Sequence, residues 1–352
     1  MIRRRPEELS PEPPQRRKTA VAFASAAPDA LFSSSADCAT IAKGTAAARR
    51  AANRAVSAGD AGMREFRLEM DDGFSVAAAA FDAERPNAAV QIVHGAKEHK
   101  ERYYPFAEYL CSLGLTVWLS DNRGHGGSVG GRYPLGYMDD WARLVGDQAE
   151  ITRRIRAEMP GKPLCLYGHS FGSMLARCYL QEHDAEIDSL LLSGTVNYLR
   201  LSGLGVALGS LLTMVDGGHA HTRFLQKNGE WEDVSWVSSD EDVMRAYRSD
   251  PLCTGYKYPN SSILTMWKAD RQLHRFGCYP CRNPGLKILI ISGADDPMTG
   301  GEKGLADSAA SLRRIGYTEV RSLVYPGLKH EIVCCRGNEQ VLADVRAFLT
   351  GD

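Results

Sequence analysis

The sequence predicts an α/β protein with a mostly parallel central sheet, covered by helices on both faces and interrupted by an inserted cap after the sixth main strand. Short apolar runs alternate with amphipathic helical segments along most of the chain, and this alternation stops between residues 195 and 284. Strands that alternate with helices are typical of parallel sheets with both faces covered. We therefore expect a core formed by residues 63–194 and 285–352, and a cap or lid formed by residues 195–284.

The first half of the core carries four predicted strands and two predicted helices. Residues on both sides of Asp71-Asp72-Gly73 alternate between apolar and polar, which predicts an opening β-hairpin. The next two apolar runs are continuous, as expected for strands that are buried on both faces. The predicted strands cover residues 66–70, 74–81, 88–93 and 116–120. The predicted helices cover residues 102–113 and 138–158.

The rest of the core continues the same alternation on either side of the cap. Before the cap, a strand is predicted at residues 163–167, a helix at 173–180 and a strand at 189–192. After the cap, the predictions are a strand at 287–292, a helix at 302–315, a strand at 319–325 and a final helix at 339–349. The pattern therefore supports one sheet built from both halves of the core.

One pentapeptide carries the clearest chemical signal. Gly168-His169-Ser170-Phe171-Gly172 fits the pattern G-x-S-x-G and lies between a predicted buried strand and a predicted helix. A serine on so tight a turn projects its hydroxyl from the fold, and the glycines are needed because larger side chains would clash. This arrangement predicts the nucleophile elbow of an α/β-hydrolase fold, with Ser170 as the nucleophile.

Acyl transfer by a serine requires a base, an acid that orients the base, and donors for the oxyanion. In α/β-hydrolases these residues follow the chain order serine, then aspartate or glutamate, then histidine. Asp295-Asp296 and His330 lie after two predicted parallel strands, at the carboxyl ends where such sheets bind ligands. We predict His330 as the base and Asp296 as the acid, with Asp295 as the alternative acid.

The oxyanion hole is expected to use two backbone N–H groups. One belongs to the residue after the nucleophile and the other to the loop after the first buried strand, which indicates Phe171 and Ala96. His94, Glu98 and His99 lie in the same loop as Ala96. Because the predicted triad is already complete, we expect these three side chains to brace the loop or to line the pocket.

Composition excludes several classes of partner. The formal net charge of the 352-residue chain is −1, which does not indicate a nucleic-acid partner. No segment has the roughly 20 consecutive apolar residues of a transmembrane helix. Nine cysteines, an odd number scattered through the chain, favour a reducing compartment over a disulfide framework. We therefore expect a cytoplasmic protein, and the predicted chemistry requires no metal or organic cofactor.

Residues 1–62 differ from the rest of the chain. They are rich in alanine, serine, arginine and proline, and they contain few aromatic residues or long apolar runs. Such a segment buries too little apolar surface to offset the entropy of ordering. We expect either a disordered leader or a start codon that has been assigned too early, with Met63 as the true start.

Several motifs in this order resemble segments of monoacylglycerol lipases and bacterial lysophospholipases. These motifs are His94–His99 with Arg102-Tyr103, Asp121–Gly126 with Ser128, the G-x-S-x-G pentapeptide, and residues 236–242 with 247–253. The resemblance covers the chain from about Met63 onwards, and it implies a serine carboxylic-ester hydrolase with Ser170, Asp296 and His330 in the matching triad positions. Proteins described as S33 serine aminopeptidases carry the same signature, so the resemblance leaves the scissile bond open.

The cap narrows the expected substrate. Residues 201–215 are almost wholly apolar, which is typical of a buried helix or of a mobile lid that receives an acyl chain and contacts a lipid surface. Trp231, Trp236 and Trp267 are interpreted as packing anchors of the cap. We expect hydrolysis of a lipid or small ester with a medium or long acyl chain through an acyl-enzyme. The alternatives are an aminopeptidase or thioesterase with the same triad, or a non-catalytic binding protein on this scaffold.

Overall fold

A computed structural model describes residues 62–230 and 233–351. Their strands form one sheet in the order β1-β2-β4-β3-β5-β6-β7-β8. The strands are β1 (Gly62–Glu69), β2 (Ser75–Asp82), β3 (Ala88–Val93), β4 (Leu115–Ser120), β5 (Leu164–His169), β6 (Ser189–Ser193), β7 (Lys287–Gly293) and β8 (Val320–Tyr325). β1 and β2 run antiparallel to their neighbours, whereas all pairings from β4 to β8 are parallel. The predicted mostly parallel sheet is therefore confirmed. The leader predicted at residues 1–62 lies outside the described residues, apart from Gly62.

Ten α-helices belong to the described residues. They are α1 (Tyr104–Ser112), α2 (Trp141–Glu158), α3 (Phe171–His183), α4 (Ser202–Asp216), α5 (Arg223–Gly229), α6 (Glu241–Ser249), α7 (Pro251–Thr254), α8 (Asn260–Gln272), α9 (Gly301–Ile315) and α10 (Glu339–Thr350). Short 3₁₀ helices lie at Lys100–Tyr103, Asp184–Glu186, Phe276–Cys278 and Pro297–Thr299. None of the helices in this part of the chain is long and apolar enough to cross a membrane.

Alternation along the central strands explains why helices cover both faces of the sheet. On β3, Ala89 and Val93 contribute to one hydrophobic cluster, whereas Val90 and Ile92 contribute to another. Successive side chains of a strand point to opposite faces, so one apolar run supplies two cores. The first cluster includes residues of α2, α3 and α9, and the second includes residues of α1 and α10. Coverage of both faces, as predicted, is confirmed.

Local capping shifts two predicted helix boundaries. The helix predicted from residue 138 begins at Trp141, because the Asp140 carboxylate accepts a hydrogen bond from the Ala142 N–H (2.9 Å) and caps the helix there. The segment predicted as one helix from residue 102 divides into the 3₁₀ turn at Lys100–Tyr103 and α1. Pro105 lies in the first turn of α1, where a missing N–H costs nothing.

The chain between β6 and β7, here called the insertion, contains α4 to α8. α8 packs against α3 and α2, and α4 packs against α8. Ile263, Ala269 and Leu273 extend the hydrophobic core of the sheet into the insertion. The segment containing α6 and α7 has a smaller cluster of its own, made by Val237, Met244, Tyr247 and Cys253. α8 therefore lies over the α2–α3 side of the sheet and α4 packs on α8, whereas Val243 of α6 packs against the cluster on the other side.

Candidate active site

Ser170 lies on the turn that joins β5 to α3. Its φ of 53° and ψ of −120° are unusual for a residue with a side chain, and such strain clusters at functional sites. The surrounding backbone leaves no room for a side chain at either glycine of the motif. A Cβ at Gly168 would lie 2.5 Å from the Gly172 carbonyl oxygen, and one at Gly172 would lie 2.2 Å from the Val93 carbonyl oxygen. Close packing therefore explains both glycines.

Asp296 and His330 meet across the loops that follow β7 and β8. The His330 Nδ1–H donates to Asp296 Oδ2 over 2.8 Å, and Asp296 Oδ1 accepts from the Met298 N–H over 2.8 Å. Both side chains are buried, whereas that of Asp295 is exposed. Asp296, the predicted acid, contacts the histidine, and the alternative Asp295 does not.

The pKa of His330 reflects two opposing effects. Burial disfavours the charged imidazolium, but the Asp296 carboxylate, together with Glu98 and Glu331, outweighs burial and raises the pKa above its ordinary value. His330 Nε2 is buried and has no hydrogen-bond partner among the described residues. The ring is therefore held through Nδ1, and none of the described residues engages Nε2.

Aromatic contacts and one glycine fix the position of the His330 ring. The ring centroid lies 4.6 Å from that of His169 and 4.9 Å from that of Trp236. Gly194 has a φ of 54°, and a Cβ on it would lie 2.7 Å from His330 Cε1. The backbone therefore runs against the edge of the imidazole, which restricts its rotation. His169, which precedes Ser170 in the pentapeptide, is itself held by Ser193, whose Oγ lies 2.8 Å from His169 Nδ1.

Ser170, His330, Ala96 and Phe171 all line one cavity of about 330 Å³. Phe171 is the first residue of α3, so its N–H has no acceptor within the helix. Neither this N–H nor that of Ala96 donates to an acceptor among the described residues. The two backbone groups predicted for the oxyanion hole are thus brought to the same cavity as the serine, with their hydrogen-bonding capacity unused.

The loop that carries Ala96 is braced on both sides. Glu98 Oε2 accepts from the Gly95 N–H and from the Tyr103 hydroxyl, each over 2.7 Å. His94 accepts from the Asn122 N–H through Nε2 (2.9 Å), and its Nδ1 lies 2.7 Å from the Gly95 carbonyl oxygen. Burial lowers the pKa of His94, which favours the neutral tautomer that these two bonds require. The predicted bracing roles of His94 and Glu98 agree with these contacts.

A buried polar cluster behind the histidine was not foreseen from the sequence. Glu331 accepts two hydrogen bonds from Arg102 Nη2, over 2.6 and 2.7 Å. Glu98 Oε1 lies 3.7 Å from His169 Nε2, which has no hydrogen-bond partner among the described residues. Burial raises the pKa of Glu331 against the lowering effect of Arg102, and Glu98 adds to the rise. The sequence feature that could have indicated this cluster is the position of Glu331, directly after the predicted base His330.

The cavity is mostly apolar on the side formed by α3 and α8. Its apolar lining comprises Phe171, Met174, Val196, Leu199, Val234, Trp236, Val237, Met266, Trp267, Pro297 and Met298. Trp236 and Trp267 were interpreted as packing anchors, but both face this cavity; Trp231 lies outside the described residues. Asp270 is an acidic exception in the wall, and burial raises its pKa to about 7. The shape and polarity suit an apolar chain attached to a group that reaches Ser170.

One group of side chains in the described regions has the proximity of metal ligands. The candidate ligand atoms of His99, Asp250 and Cys253 lie within 4.8 Å of one another. His99 Nε2 is already 2.8 Å from Asp250 Oδ2, and burial raises the pKa of the Cys253 thiol well above its ordinary value. A protonated thiol and an occupied imidazole are poor ligands. These contacts instead join the Ala96 loop to the insertion.

Comparison with known proteins connects this geometry to a family. Residues 84–334 match the family model described as "Serine aminopeptidase, S33". The chain is 28% identical over 272 residues to the monoacylglycerol lipase of Mycolicibacterium smegmatis, covering 75% of this chain and 88% of that protein. It is 28% identical over 170 residues to the monoglyceride lipase of Rattus norvegicus, which is 47% of this chain and about half (52%) of the rat protein.

A solved structure shares the fold. A thermostable carboxyl esterase from Bacillus coagulans, determined in complex with glycerol, superposes with a TM-score of 0.71 at 22% sequence identity. The match covers 82% of this chain and 98% of the esterase. At this identity the likeness shows the fold alone, and it confirms the predicted α/β-hydrolase architecture of sheet and helices.

Proposed function

We propose that this protein is a serine carboxylic-ester hydrolase acting on medium or long acyl chains. The chain belongs to the S33 serine aminopeptidase family of α/β-hydrolases. The similarity to the monoacylglycerol lipase of Mycolicibacterium smegmatis covers 75% of the chain. The observation that carries the proposal is the Asp296–His330 contact of 2.8 Å beside a strained Ser170 at an apolar cavity. Monoacylglycerols and lysophospholipids are the substrate classes that fit this arrangement.

The proposed reaction proceeds in two acyl transfers. His330 Nε2 takes the proton of the Ser170 hydroxyl as Ser170 Oγ attacks the ester carbonyl. The N–H groups of Ala96 and Phe171 donate to the oxyanion, and Asp296 stabilises the imidazolium through Nδ1. Collapse of the tetrahedral intermediate breaks the ester C–O bond, and the alcohol leaves with the proton from His330. Water activated by His330 then releases the fatty acid from the acyl-enzyme.

The pKa of His330 fits this role. A base must be neutral to accept a proton, and its pKa is best placed near the working pH. Burial lowers the pKa of His330, but the Asp296 carboxylate outweighs burial and raises the pKa above its ordinary value, which makes the imidazole a stronger base. The buried Nε2 has no competing partner among the described residues.

We also propose that residues 195–284 form a cap that contacts lipid surfaces. Along α4, only Ser202, Val206 and Gly209 are buried. The large apolar side chains exposed on and beside this helix are Leu199, Leu201, Leu204, Leu208, Leu211, Met214, Val215 and Phe224. A contiguous apolar surface of this kind marks an interaction site rather than ordinary solvent exposure. It would bring the cavity mouth close to membrane-borne substrate.

Two other enzymes could use the same triad. An aminopeptidase would need free carboxylates in the cavity for the substrate amine. Lys97 Nζ lies 2.7 Å from Glu230 Oε2, and Arg102 holds Glu331, so two of the acidic lining residues are already engaged. A thioesterase would share the acyl cavity and differ only in the leaving group. A non-catalytic binding protein has no need of the strained Ser170 backbone.

Labelling with a fluorophosphonate probe tests the proposed nucleophile. We expect the native protein to react and the Ser170→Ala variant to remain unlabelled, with Ser173→Ala as the matched serine control in the same helix turn. Equal labelling of native protein and Ser170→Ala would overturn the serine-hydrolase assignment. Initial rates on monoacylglycerols, lysophospholipids, acyl thioesters and aminoacyl amides then separate the candidate enzymes, and a marked preference for the amides would contradict the esterase proposal.

A further inference from the structure

A second cavity of about 760 Å³ adjoins the cavity that contains Ser170. The two cavities share part of their wall, formed by Lys97, Glu230, Val234 and Tyr247. Lys97 directly follows Ala96, whose N–H is a proposed oxyanion donor. The shared wall therefore begins next to a proposed oxyanion donor, which places the second cavity beside the reaction centre.

The lining of this second cavity is strongly cationic. Lys97, Arg223, Lys227 and Lys257 face it, and Glu230 is its only acidic residue among the described lining residues. The whole chain has a formal net charge of −1, so the excess of positive charge is local. Concave surfaces lined by one sign of charge focus the electrostatic potential and concentrate ligands of opposite sign. We call this site the basic cavity.

Three of the four cations have no ion-pair partner among the described residues. Lys97 is compensated by Glu230, with 2.7 Å between Lys97 Nζ and Glu230 Oε2. The side chains of Arg223, Lys227 and Lys257 make no hydrogen bond or ion pair with any residue in the described ranges, and all three residues are exposed. Many other arginines of the chain, including Arg64, Arg102 and Arg123, form ion pairs. The basic cavity therefore offers three positive charges that no described carboxylate neutralises.

We propose that the basic cavity binds a phosphate group carried on the alcohol part of the substrate. The proposal rests on the function proposed above and deepens it: the preferred ester is an acylated glycerol phosphate rather than a neutral monoacylglycerol. The acyl chain occupies the apolar cavity, the carbonyl lies at Ser170, and the phosphate lies among Arg223, Lys227 and Lys257. Hydrolysis of this ester consumes water and releases a fatty acid and glycerol phosphate.

The chemistry explains why a phosphate group suits this position. Arginine and lysine are the side chains that recognise phosphate most often, because each forms charge-assisted hydrogen bonds to its oxygens. A neutral glycerol leaving group would fill little of the basic cavity and would leave its three charges unpaired. The selectivity therefore resides in the leaving-group side of the site, and the acyl side remains common to both substrate classes.

A ratio of specificity constants tests this assignment. We would measure kcat/KM for 1-acylglycerol 3-phosphate and for the monoacylglycerol of the same acyl chain, both below their aggregation concentrations. Wild-type protein should prefer the phosphate ester, and the preference should weaken as ionic strength rises. In the Lys227→Ala/Lys257→Ala double variant, the ratio should fall about tenfold, as expected when two exposed charge contacts are removed.

Matched variants separate charge from other effects. Lys303→Ala removes an exposed lysine on α9, far from the basic cavity in sequence, and should leave the ratio unchanged. Lys227→Arg/Lys257→Arg keeps both charges and should retain the preference. A wild-type preference for the neutral ester, or a ratio that is the same in the alanine double variant, would overturn the proposal.

Binding without catalysis distinguishes failure of this inference from failure of the proposed function. In Ser170→Ala protein, glycerol 3-phosphate should raise Tm more than glycerol does, and the lysine double substitution should remove the difference. This result would support the phosphate site even where no ester is hydrolysed. If inorganic phosphate alone gives the same shift, the site recognises free phosphate, and the assignment to a substrate head group is wrong.

A membrane surface is the competing source of phosphate groups. Sedimentation with vesicles of phosphatidylcholine, with and without phosphatidylglycerol, measures this directly. If the lysine double variant loses binding to anionic vesicles while the kcat/KM ratio on dispersed substrates is unchanged, the basic residues act on the bilayer and the proposed subsite is refuted. Unchanged vesicle binding together with a reduced ratio supports it.

Discussion

Replacing Glu98 by alanine is expected to damage the oxyanion hole without touching a triad residue. Glu98 Oε2 accepts hydrogen bonds from the Gly95 N–H and the Tyr103 hydroxyl, both over 2.7 Å, and the residue is 4% exposed. The substitution removes one acceptor from two buried donors. Gly95 precedes Ala96, and a Cβ on Gly95 would lie 2.9 Å from Ser170 Cβ, so a shift of this loop reaches the reaction centre.

The size of the effect on stability follows from the two buried donors that lose their acceptor. Leaving a buried donor unsatisfied costs about 1–3 kcal/mol, so two donors give a loss of roughly 2–6 kcal/mol in the free energy of unfolding. Water that enters the space of the missing carboxylate brings the result towards the lower end. Loss of one oxyanion donor lowers kcat by about 10²–10³. We therefore expect Tm to fall by at least about 5 °C and kcat to fall by about 100-fold.

Steady-state kinetics on a soluble ester and thermal unfolding would measure both effects. Glu98→Gln keeps one acceptor oxygen and should retain more activity than Glu98→Ala. Glu108→Ala, which removes an exposed carboxylate from α1, is the matched control and should match wild type in both measurements. The reasoning is refuted if Glu98→Ala keeps kcat within twofold of wild type, because the brace would then have no part in holding Ala96.

Two further predictions concern pH and lipid contact. The folded-state pKa of His330 is raised, so the His330–Asp296 pair stabilises the fold fully at low pH, and this contribution is lost as pH rises through the folded pKa. Asp296→Asn should remove this pH dependence of the free energy of unfolding and lower kcat by about 10³–10⁴-fold. It should also move the acidic limb of the pH profile of kcat/KM to lower pH, and an unchanged acidic limb would contradict the pairing. On α4, Leu204→Ser/Leu211→Ser should weaken partitioning onto phosphatidylcholine vesicles by about tenfold or more, whereas Val324→Ser on β8 should not. Equal binding by both variants would exclude α4 as the lipid-contacting surface.

Local sequence patterns were sufficient for the order of elements and for the elbow. The periodicities of strands and helices depend on residues that are close together in the chain. The two glycines around Ser170 indicate a turn in which the backbone packs too closely to leave room for a side chain. The same reasoning identified the loops after β7 and β8, because the carboxyl ends of parallel strands meet at one edge of the sheet. The predicted helix boundaries were less accurate than the order of elements. At Asp140, for example, a side-chain cap decides the first helical residue.

Contacts between distant parts of the chain required the tertiary structure. Arg102 and Glu331 are 229 positions apart, and nothing in either local pattern indicates their pairing. The choice of Asp296 over Asp295 depends on which carboxylate turns inward beside His330, since both occupy the same predicted loop. The pKa of Asp270, raised to about 7, likewise depends on burial that periodicity does not measure.

The sequence by itself was sufficient to predict the proposed reaction type, from a serine on an elbow that is followed in order by an acid and a histidine within an alternating α/β pattern. The tertiary structure decided which side chains surround that chemistry. Trp236 and Trp267 form part of a cavity wall rather than only packing anchors, and Lys97, Arg223 and Lys257 come from three separate segments to line one cavity. Recognition of a substrate depends on such convergence, because side chains far apart in the chain produce a common surface and a common field only after folding.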